Sequence, residues 1–327
     1  MRIIFIGSGD IGLPTLRMLL SSNDHHVLAC VTQPDKPVGR HQELQASAIK
    51  QLALQHHVPI FQPARIRDRA VLEQLQYLRP DVIVVIAYGQ ILPGDVLRIP
   101  AVACLNLHAS LLPRHRGAAP IHAAIEAGDP TTGITVMYMS EGLDTGDILL
   151  EKSLRIGRRE TTGILHDRLA ALAPDALGAA LALLKQGRAP RLPQVAAEAT
   201  YAAKLTRENG EIRWTATREE IDRKIRAMTP WPSAYTFIPT ADGPRKLKVF
   251  SSILHSRRLG EPGTVARADK HGILVAAAEG GLLLREVQIE GKKRMSARDF
   301  LLGNPVAAGT LLGIPAPAPN SPADAGQ

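Results

Sequence analysis

The run Asp81–Ala87 (DVIVVIA) constrains this chain more than any other segment. Five successive β-branched residues with no polar alternation suit a parallel strand covered on both faces. Such a strand needs neighbours joined by helical crossovers, and the surrounding sequence supplies them. Arg2–Gly7 is a short apolar run ending in glycine, and Pro14–Leu20 reads as a helix with an early proline. Val27–Thr32, Val58–Phe61, Ala103–His108 and Gly133–Met139 read as further strands, and Asp68–Leu78 as a helix. Residues 161–186 form an alanine- and leucine-rich helix. The first 190 residues are therefore expected to be α/β, with a doubly wound, mostly parallel sheet of Rossmann-like type.

The pattern then changes. Gly187–Gln194 (GRAPRLPQ) carries two prolines and reads as a linker, with the boundary segment set at 191–205. A helix over Thr217–Met228 precedes Lys246–Leu254, Gly263–Arg267, Gly272–Ala277 and Gly281–Gln288, four short strands parted by glycine turns. These suggest a small barrel or sandwich over 206–313, and a five-stranded, OB-like β-barrel fits the size. Residues 314–327 are proline-rich without basic residues and read as a disordered tail. Two domains fit the length of 327 residues.

No apolar run approaches the roughly 18 residues of a membrane span, and the first residues lack the apolar stretch of a signal peptide. Cys30 and Cys104 lie in apolar strand segments, too few for a disulfide framework or a zinc site. A cytoplasmic protein without metal is expected, and two linked domains fit a monomer. Residues 1–203 hold 20 Lys+Arg against 18 Asp+Glu, and residues 204–327 hold 19 against 13. The shorter second part carries most of the net charge of +8, which suits either solubility or a polyanionic partner such as nucleic acid.

Three motifs bear on chemistry. Gly7-Ser8-Gly9-Asp10-Ile11-Gly12 matches G-x-G-x-x-G between a strand and a helix. The second strand ends Val31-Thr32-Gln33, without the ribose-holding carboxylate of a dinucleotide site. The motif therefore reads as a tight turn, and no NAD is expected. In Cys104–Pro113 (CLNLHASLLP), alternation puts Asn106 and His108 on one face at a carboxyl strand end, where open α/β sheets bind ligands. The competing reading is a buried pair satisfying each other's hydrogen bonds. Glu141–Asp147 (EGLDTGD) is a polar turn carrying Asp144. Near His108, that carboxylate would raise the imidazole pKa and orient the ring, while an amide N–H can stabilise an oxyanion. With no nucleophile in a suitable setting, the set suits direct acyl transfer to an amine.

The segments Asn106–Pro120 (NLHASLLPRHRGAAP) and Gly142–Leu149 (GLDTGDIL) resemble the 10-formyltetrahydrofolate-dependent formyltransferases. TQPD at 32–35, Ala87–Gly89, TYAAKLT at 200–206, PWPSAY at 230–235 and EGKKRMSARDF at 290–300 extend the likeness over nearly the whole chain. RGAAP, YAAKLT and EGKKRMSA resemble the branch acting on methionyl initiator tRNA. The resemblance implies formyl transfer from 10-formyltetrahydrofolate to the methionyl α-amine in translation initiation. Asn106 would hold the formyl oxygen, His108 would move protons and stabilise the oxyanion, and Asp144 would hold His108 and help remove the amine proton. Ser110, Leu111, Leu112 and Pro113 would line the folate site, with Ile86, Tyr88 and Gly89 as its apolar wall. Arg40, Lys204, Lys246, Lys248, Lys292, Lys293 and Arg294 would contact tRNA phosphates.

Two departures stand out. The family's loop after TQPD is basic, whereas Gly39-Arg40-His41-Gln42-Glu43-Leu44 keeps only Arg40, so residues 33–50 are nearly neutral. The first turn is Gly-Ser-Gly where the family has Gly-Thr-Pro. An alternative acceptor is the amine of a nucleotide-linked sugar, with the same three polar residues. A nicotinamide oxidoreductase and a non-catalytic RNA-binding module are the readings from other classes.

Overall fold

The computed structural model describes residues 1–38 and 43–313. The chain forms two compact units, one of residues 1–124 and 129–204, the other of residues 125–128 and from 205 onward.

In the first unit, β1 (Arg2–Gly7), α1 (Leu13–Leu20), β2 (His26–Val31), a short hairpin β3 (Lys36–Val38) and β4 (Glu43–Gln45), α2 (Ala48–Gln55) and β5 (Ile60–Phe61) come first. Then follow α3 (Arg69–Tyr77), β6 (Val82–Ile86), α4 (Gly94–Leu97), β7 (Ala103–His108), β8 (Arg116–Gly117) and α5 (Pro120–Ala127). The series closes with β9 (Thr131–Tyr138), β10 (Ile148–Arg155), α6 (Thr162–Lys185) and β11 (Tyr201–Ala202). Seven strands form one sheet in the order β10-β9-β7-β6-β1-β2-β5. The pairs from β5 to β7 are parallel, and β9 and β10 are antiparallel. The doubly wound, mostly parallel sheet expected from the sequence is thus the fold of this unit.

The run that read as a doubly covered strand is β6, and all five of its residues are buried. On one face Ile4, Ile6, Ile83 and Val85 pack with Leu75 of α3 and Val96 of α4. On the other, Gly12 lies against the ring of Phe5, Ile86 and Ile49 of α2, and α6 covers β9 and β10. The chain winds from β1 outward to β5, then returns to β6 on the other side of β1. The carboxyl ends of β1 and β6 lie at this reversal of strand order, where open sheets form their crevice.

That geometry explains the dinucleotide-like motif. The Ser8 and Gly9 N–H groups donate to the carbonyl of Ala87, at 3.3 and 3.2 Å, so the donors that would cradle a phosphate are already used. A Cβ on Gly7 would stand 2.7 Å from the carbonyl oxygen of Ile86. The glycine is there for strand packing.

The second unit opens with α7 (Arg218–Ala227), started by a capping box in which Thr217 and Glu220 satisfy each other's backbone N–H groups. Its sheet is antiparallel, with β12 (Ala234–Ile238), β13 (Arg245–His255), β14 (Val265–Asp269), β15 (Gly272–Ala276) and β16 (Gly281–Ile289) in the order β12-β13-β16-β15-β14. A sixth strand, β17 (Met295–Ser296), pairs with β16 and leads into α8 (Ala297–Gly303). The segment 309–313 bridges the two edges. It exchanges backbone bonds with Gly263 and Val265 at the β14 edge and reaches the carbonyl of Phe237 on β12. The tail at 314–327 lies outside the described residues. No helix among the described residues is long and apolar enough to cross a membrane.

Gly7→Ala should destabilise the protein by about 1–3 kcal/mol, because the added methyl overpacks the β1–β6 contact. Chemical denaturation of the variant checks this, and a stability within about 0.5 kcal/mol of the parent refutes it.

Candidate active site

β7 lies between β6 and β9, and its carboxyl end carries two of the three polar residues singled out from the sequence. Asn106 sits opposite Val85 and Met137, and His108 opposite Thr135. The loop between β9 and β10 delivers the third, Asp144, in a left-handed backbone conformation with φ of 52°.

The three side chains converge. Asn106 Nδ2 donates to Asp144 Oδ1 at 3.4 Å, and His108 Nδ1 stands 3.6 Å from Asp144 Oδ2. The shortest bond to that carboxylate comes from elsewhere: the backbone N–H of Gly117 donates to Oδ2 at 2.8 Å. His108 is 6% exposed, and its Nε2 donates to the carbonyl of His115 at 2.9 Å. A carbonyl can only accept, so the neutral ring carries its proton on Nε2. The Nδ1 lone pair then points toward the Asp144 carboxylate.

This pair behaves differently from the sequence expectation. Burial is the largest influence on His108 and lowers its pKa below 6.5, while Asp144 and the His115 carbonyl pull the other way and the neighbouring His115 lowers it further. The buried ring is therefore neutral near pH 7, with a free lone pair at Nδ1. The two thiols are inert by comparison, since burial pushes both Cys30 and Cys104 up to about 12.

Residues 110–114 form a turn fastened to β9 through Thr135. Ser110 Oγ donates to the carbonyl of Arg114 at 2.7 Å, and Thr135 Oγ1 donates to the Ser110 carbonyl while accepting from the Leu112 N–H. The Ser110 hydroxyl is buried and engaged within the turn, and Leu112 is buried too. Leu111 lines a cavity of about 230 Å³ together with Arg114, His115, Asp129, Pro130, Thr131 and Thr132, while Pro113 is half-buried.

In the segment expected as an apolar wall, Ile86 and Tyr88 turn into the core and Ala87 and Gly89 are exposed. Tyr88 packs with Leu92, Val96 and Met139, its buried hydroxyl finds no partner among the described residues, and burial pushes its pKa up to about 12. The exposed part of this segment is thus backbone and small side chains.

The basic residues differ among themselves. Lys204 is exposed beyond β11. Lys246 and Lys248 lie on one face of β13 opposite Phe237 and Tyr235, with the Lys246 ammonium 4.0 Å from the centre of the Tyr235 ring. Lys292 and Lys293 are exposed between β16 and β17. Arg294 forks onto Glu286 and covers the ring of Phe250 at 4.2 Å. Arg40 lies outside the described residues.

Several partners had no sequence signal of their own. Gly117 sits in β8, which pairs with β11. Gln194, in the segment expected as a linker, donates to the carbonyls of Asp144 and Gly146 at 2.9 and 2.8 Å. His115 places its ring on Asp129 at 2.7 Å. RGAAP was notable in the sequence as a pattern, without roles for its members. No group of three metal-ligating side chains occurs among the described residues.

The formyl transferase family matches residues 1–181, and the formyl transferase C-terminal domain matches residues 204–305. The chain is 49% identical to a methionyl-tRNA formyltransferase of Methylacidiphilum infernorum, covering 96% of this chain and 98% of that one. It is 43% identical to the enzyme of the same name from Alkaliphilus oremlandii, over 96% of this chain and all of that one. Among solved structures it resembles an N-formyltransferase from Helicobacter canadensis, with TM-score 0.64 and 16% identity over 90% of this chain and 99% of that one. HypX from Aquifex aeolicus, solved with tetrahydrofolic acid, aligns with TM-score 0.60 and 16% identity over 92% of this chain and 47% of that one. At this identity the two structures speak to the fold alone.

A His pKa lowered in the folded state means that folding excludes a proton. The stability due to the neutral ring is fully present above about pH 6.5 and is lost as pH falls toward the folded pKa. His108→Gln should therefore flatten the decline in stability below about pH 6.5. Urea denaturation at stepped pH checks this, and an unchanged slope refutes it.

Proposed function

Because the chain belongs to the formyl transferase family, we propose that it transfers the formyl group of 10-formyltetrahydrofolate to the α-amine of methionyl initiator tRNA. The convergence of Asn106, His108 and Asp144 at the carboxyl end of β7 carries the chemical part. The acceptor rests on likeness to methionyl-tRNA formyltransferases over both units of the chain. On this reading the reaction belongs to one-carbon metabolism in the cytoplasm, and the chain acts as a monomer.

The neutral amine attacks the formyl carbon, the carbonyl oxygen becomes an oxyanion, and the C–N10 bond of the folate then breaks. One proton leaves the amine and one reaches N10, so a group able to both accept and give a proton is needed. Asn106 donates one amide N–H to Asp144 and turns the other to the formyl oxygen, where negative charge develops. His108, neutral and with Nδ1 free, accepts the amine proton and returns it to the leaving nitrogen. The Asp144 carboxylate supports the imidazolium in between. The turn 110–114 and the exposed edge of 87–89 flank the pterin. Lys204, Lys246, Lys248, Lys292 and Lys293 contribute phosphate contacts.

The deciding experiment is a transfer assay with 10-formyltetrahydrofolate and two acceptors, methionyl initiator tRNA and a nucleotide-linked amino sugar. Formylation of the tRNA alone is expected, and transfer only to the sugar overturns the acceptor. Asn106→Ala and Asp144→Asn should each lower kcat about a hundredfold with folding retained. Loss of stability in place of turnover would make the three residues a structural cluster. Raising salt from 50 to 200 mM should weaken tRNA binding by an order of magnitude or more, because phosphate contacts release counterions. Filter binding measures this, and a flat response refutes the lysine assignment.

A further inference from the structure

The segment 191–194 lies across the loop that carries Asp144 and meets it at successive points. Arg191 holds its guanidinium 3.7 Å from the centre of the Tyr138 ring and 3.7 Å from Asp147 Oδ2. Leu192 exchanges both backbone bonds with Ile148, at 2.8 and 3.0 Å. Gln194 completes the strap. Its Nε2 donates to the carbonyls of Asp144 and Gly146, and its Oε1 accepts from Arg116 Nε and Nη2 at 3.0 and 2.6 Å. Two carbonyls must accept and a guanidinium must donate, so the amide has one possible orientation.

Both ends of that amide bear on Asp144. One end fixes the main chain of a non-glycine residue in a left-handed bend, a conformation that residues with a Cβ rarely adopt. The other end holds Arg116, the residue just before Gly117, whose N–H grips the Asp144 carboxylate. Arg116 is 5% exposed and has no carboxylate partner among the described residues, so the Gln194 oxygen is the group that answers its buried donors. Gln194 thus joins the peptide that bears the carboxylate to the peptide that clasps it.

We propose that Gln194 is a positioning residue for Asp144, setting the carboxylate against Asn106 and His108 during formyl transfer. This rests on the formyl-transfer reading. The competing role is a tether that only fastens the strap to Arg116. Gln194→Glu separates the two. A carboxylate accepts from Arg116 at least as well, yet it cannot donate to the carbonyls of Asp144 and Gly146. A tether survives that change and a positioning residue does not.

The test uses the full chain with 10-formyltetrahydrofolate and methionyl initiator tRNA. Gln194→Glu and Gln194→Met should each lower kcat at least tenfold, with KM for both substrates within about threefold of wild type. In the Asp144→Asn background the same substitutions should cost less than twofold, because the group they position has lost its charge. A Gln194→Glu enzyme with kcat within twofold of wild type overturns the proposal. So do losses that multiply in the double variants, since a general structural defect is additive. Should Gln194→Glu melt well below wild type, the Gln194→Met cycle decides by the same criterion. A wild-type protein that leaves methionyl-tRNA unformylated overturns the functional reading and this proposal with it. That result cannot be confused with an active wild type matched by its Gln194→Glu variant.

Discussion

The arrangement of the site depends on one backbone bond, from the Gly117 N–H to the carboxylate of Asp144. Asp144 sits in a loop between two antiparallel strands, and nothing in that loop alone fixes where its side chain goes. The bond makes the loop's position a consequence of β8. β8 in turn is held by β11, and the Ala118 N–H donates to the carbonyl of Ala202. A Cβ on Gly117 would stand 2.6 Å from that same carbonyl oxygen. Glycine at 117 therefore allows the approach of β11 and the grip on Asp144 together. The chain that returns after α6 is part of the site's support, although it lies some 50 to 90 residues beyond the groups it supports.

Burial and charge oppose each other at His108. A carboxylate 3.6 Å away favours the imidazolium, but the ring lies inside the first unit, where desolvation disfavours any charge. Desolvation is the larger influence here. The bond from Nε2 to the His115 carbonyl adds the decisive detail, because it commits the neutral ring to one tautomer. The lone pair is left on the side of Asp144 and Asn106. A more exposed histidine beside the same aspartate would hold its proton more tightly and be a poorer acceptor near neutral pH. Burial thus does more than hide the ring: it sets the protonation state that the proposed proton transfer requires.

Much of this was legible in sequence because the relevant signals are local. The run that forms β6 suits a strand with both faces covered, and its neighbours follow from helix and strand periodicity. Alternation along β7 put Asn106 and His108 on one side. What escaped was whatever depends on distant chain. β12 starts in the last two residues of the motif PWPSAY and runs beyond it, and β17 is two residues long. The antiparallel strand β10 alternates between inner and outer residues, a pattern that could have revealed it. The two prolines near Gln194 signal irregular backbone, which reads as a linker in sequence although the Gln194 side chain is bonded to the Asp144 loop. Gln194 has no periodic pattern to give it away, and the three residues it bonds lie between 48 and 78 residues distant.

The basic second unit illustrates the limit of charge as a guide to phosphate contacts. Arg294 and Lys292 lie two residues apart in the same motif, yet their surroundings differ. The Arg294 guanidinium is spent on Glu286 and on the face of Phe250, so binding a phosphate there would first break a bidentate pair. Lys292 and Lys293 are exposed and form no ion pair among the described residues. Lys246 is intermediate: an aromatic face holds its ammonium without neutralising it. That placement fixes the cation in space and lowers the entropy lost when it meets an anion. A charged residue that is positioned but not paired is the better phosphate ligand, and by that criterion Lys246 ranks ahead of Arg294.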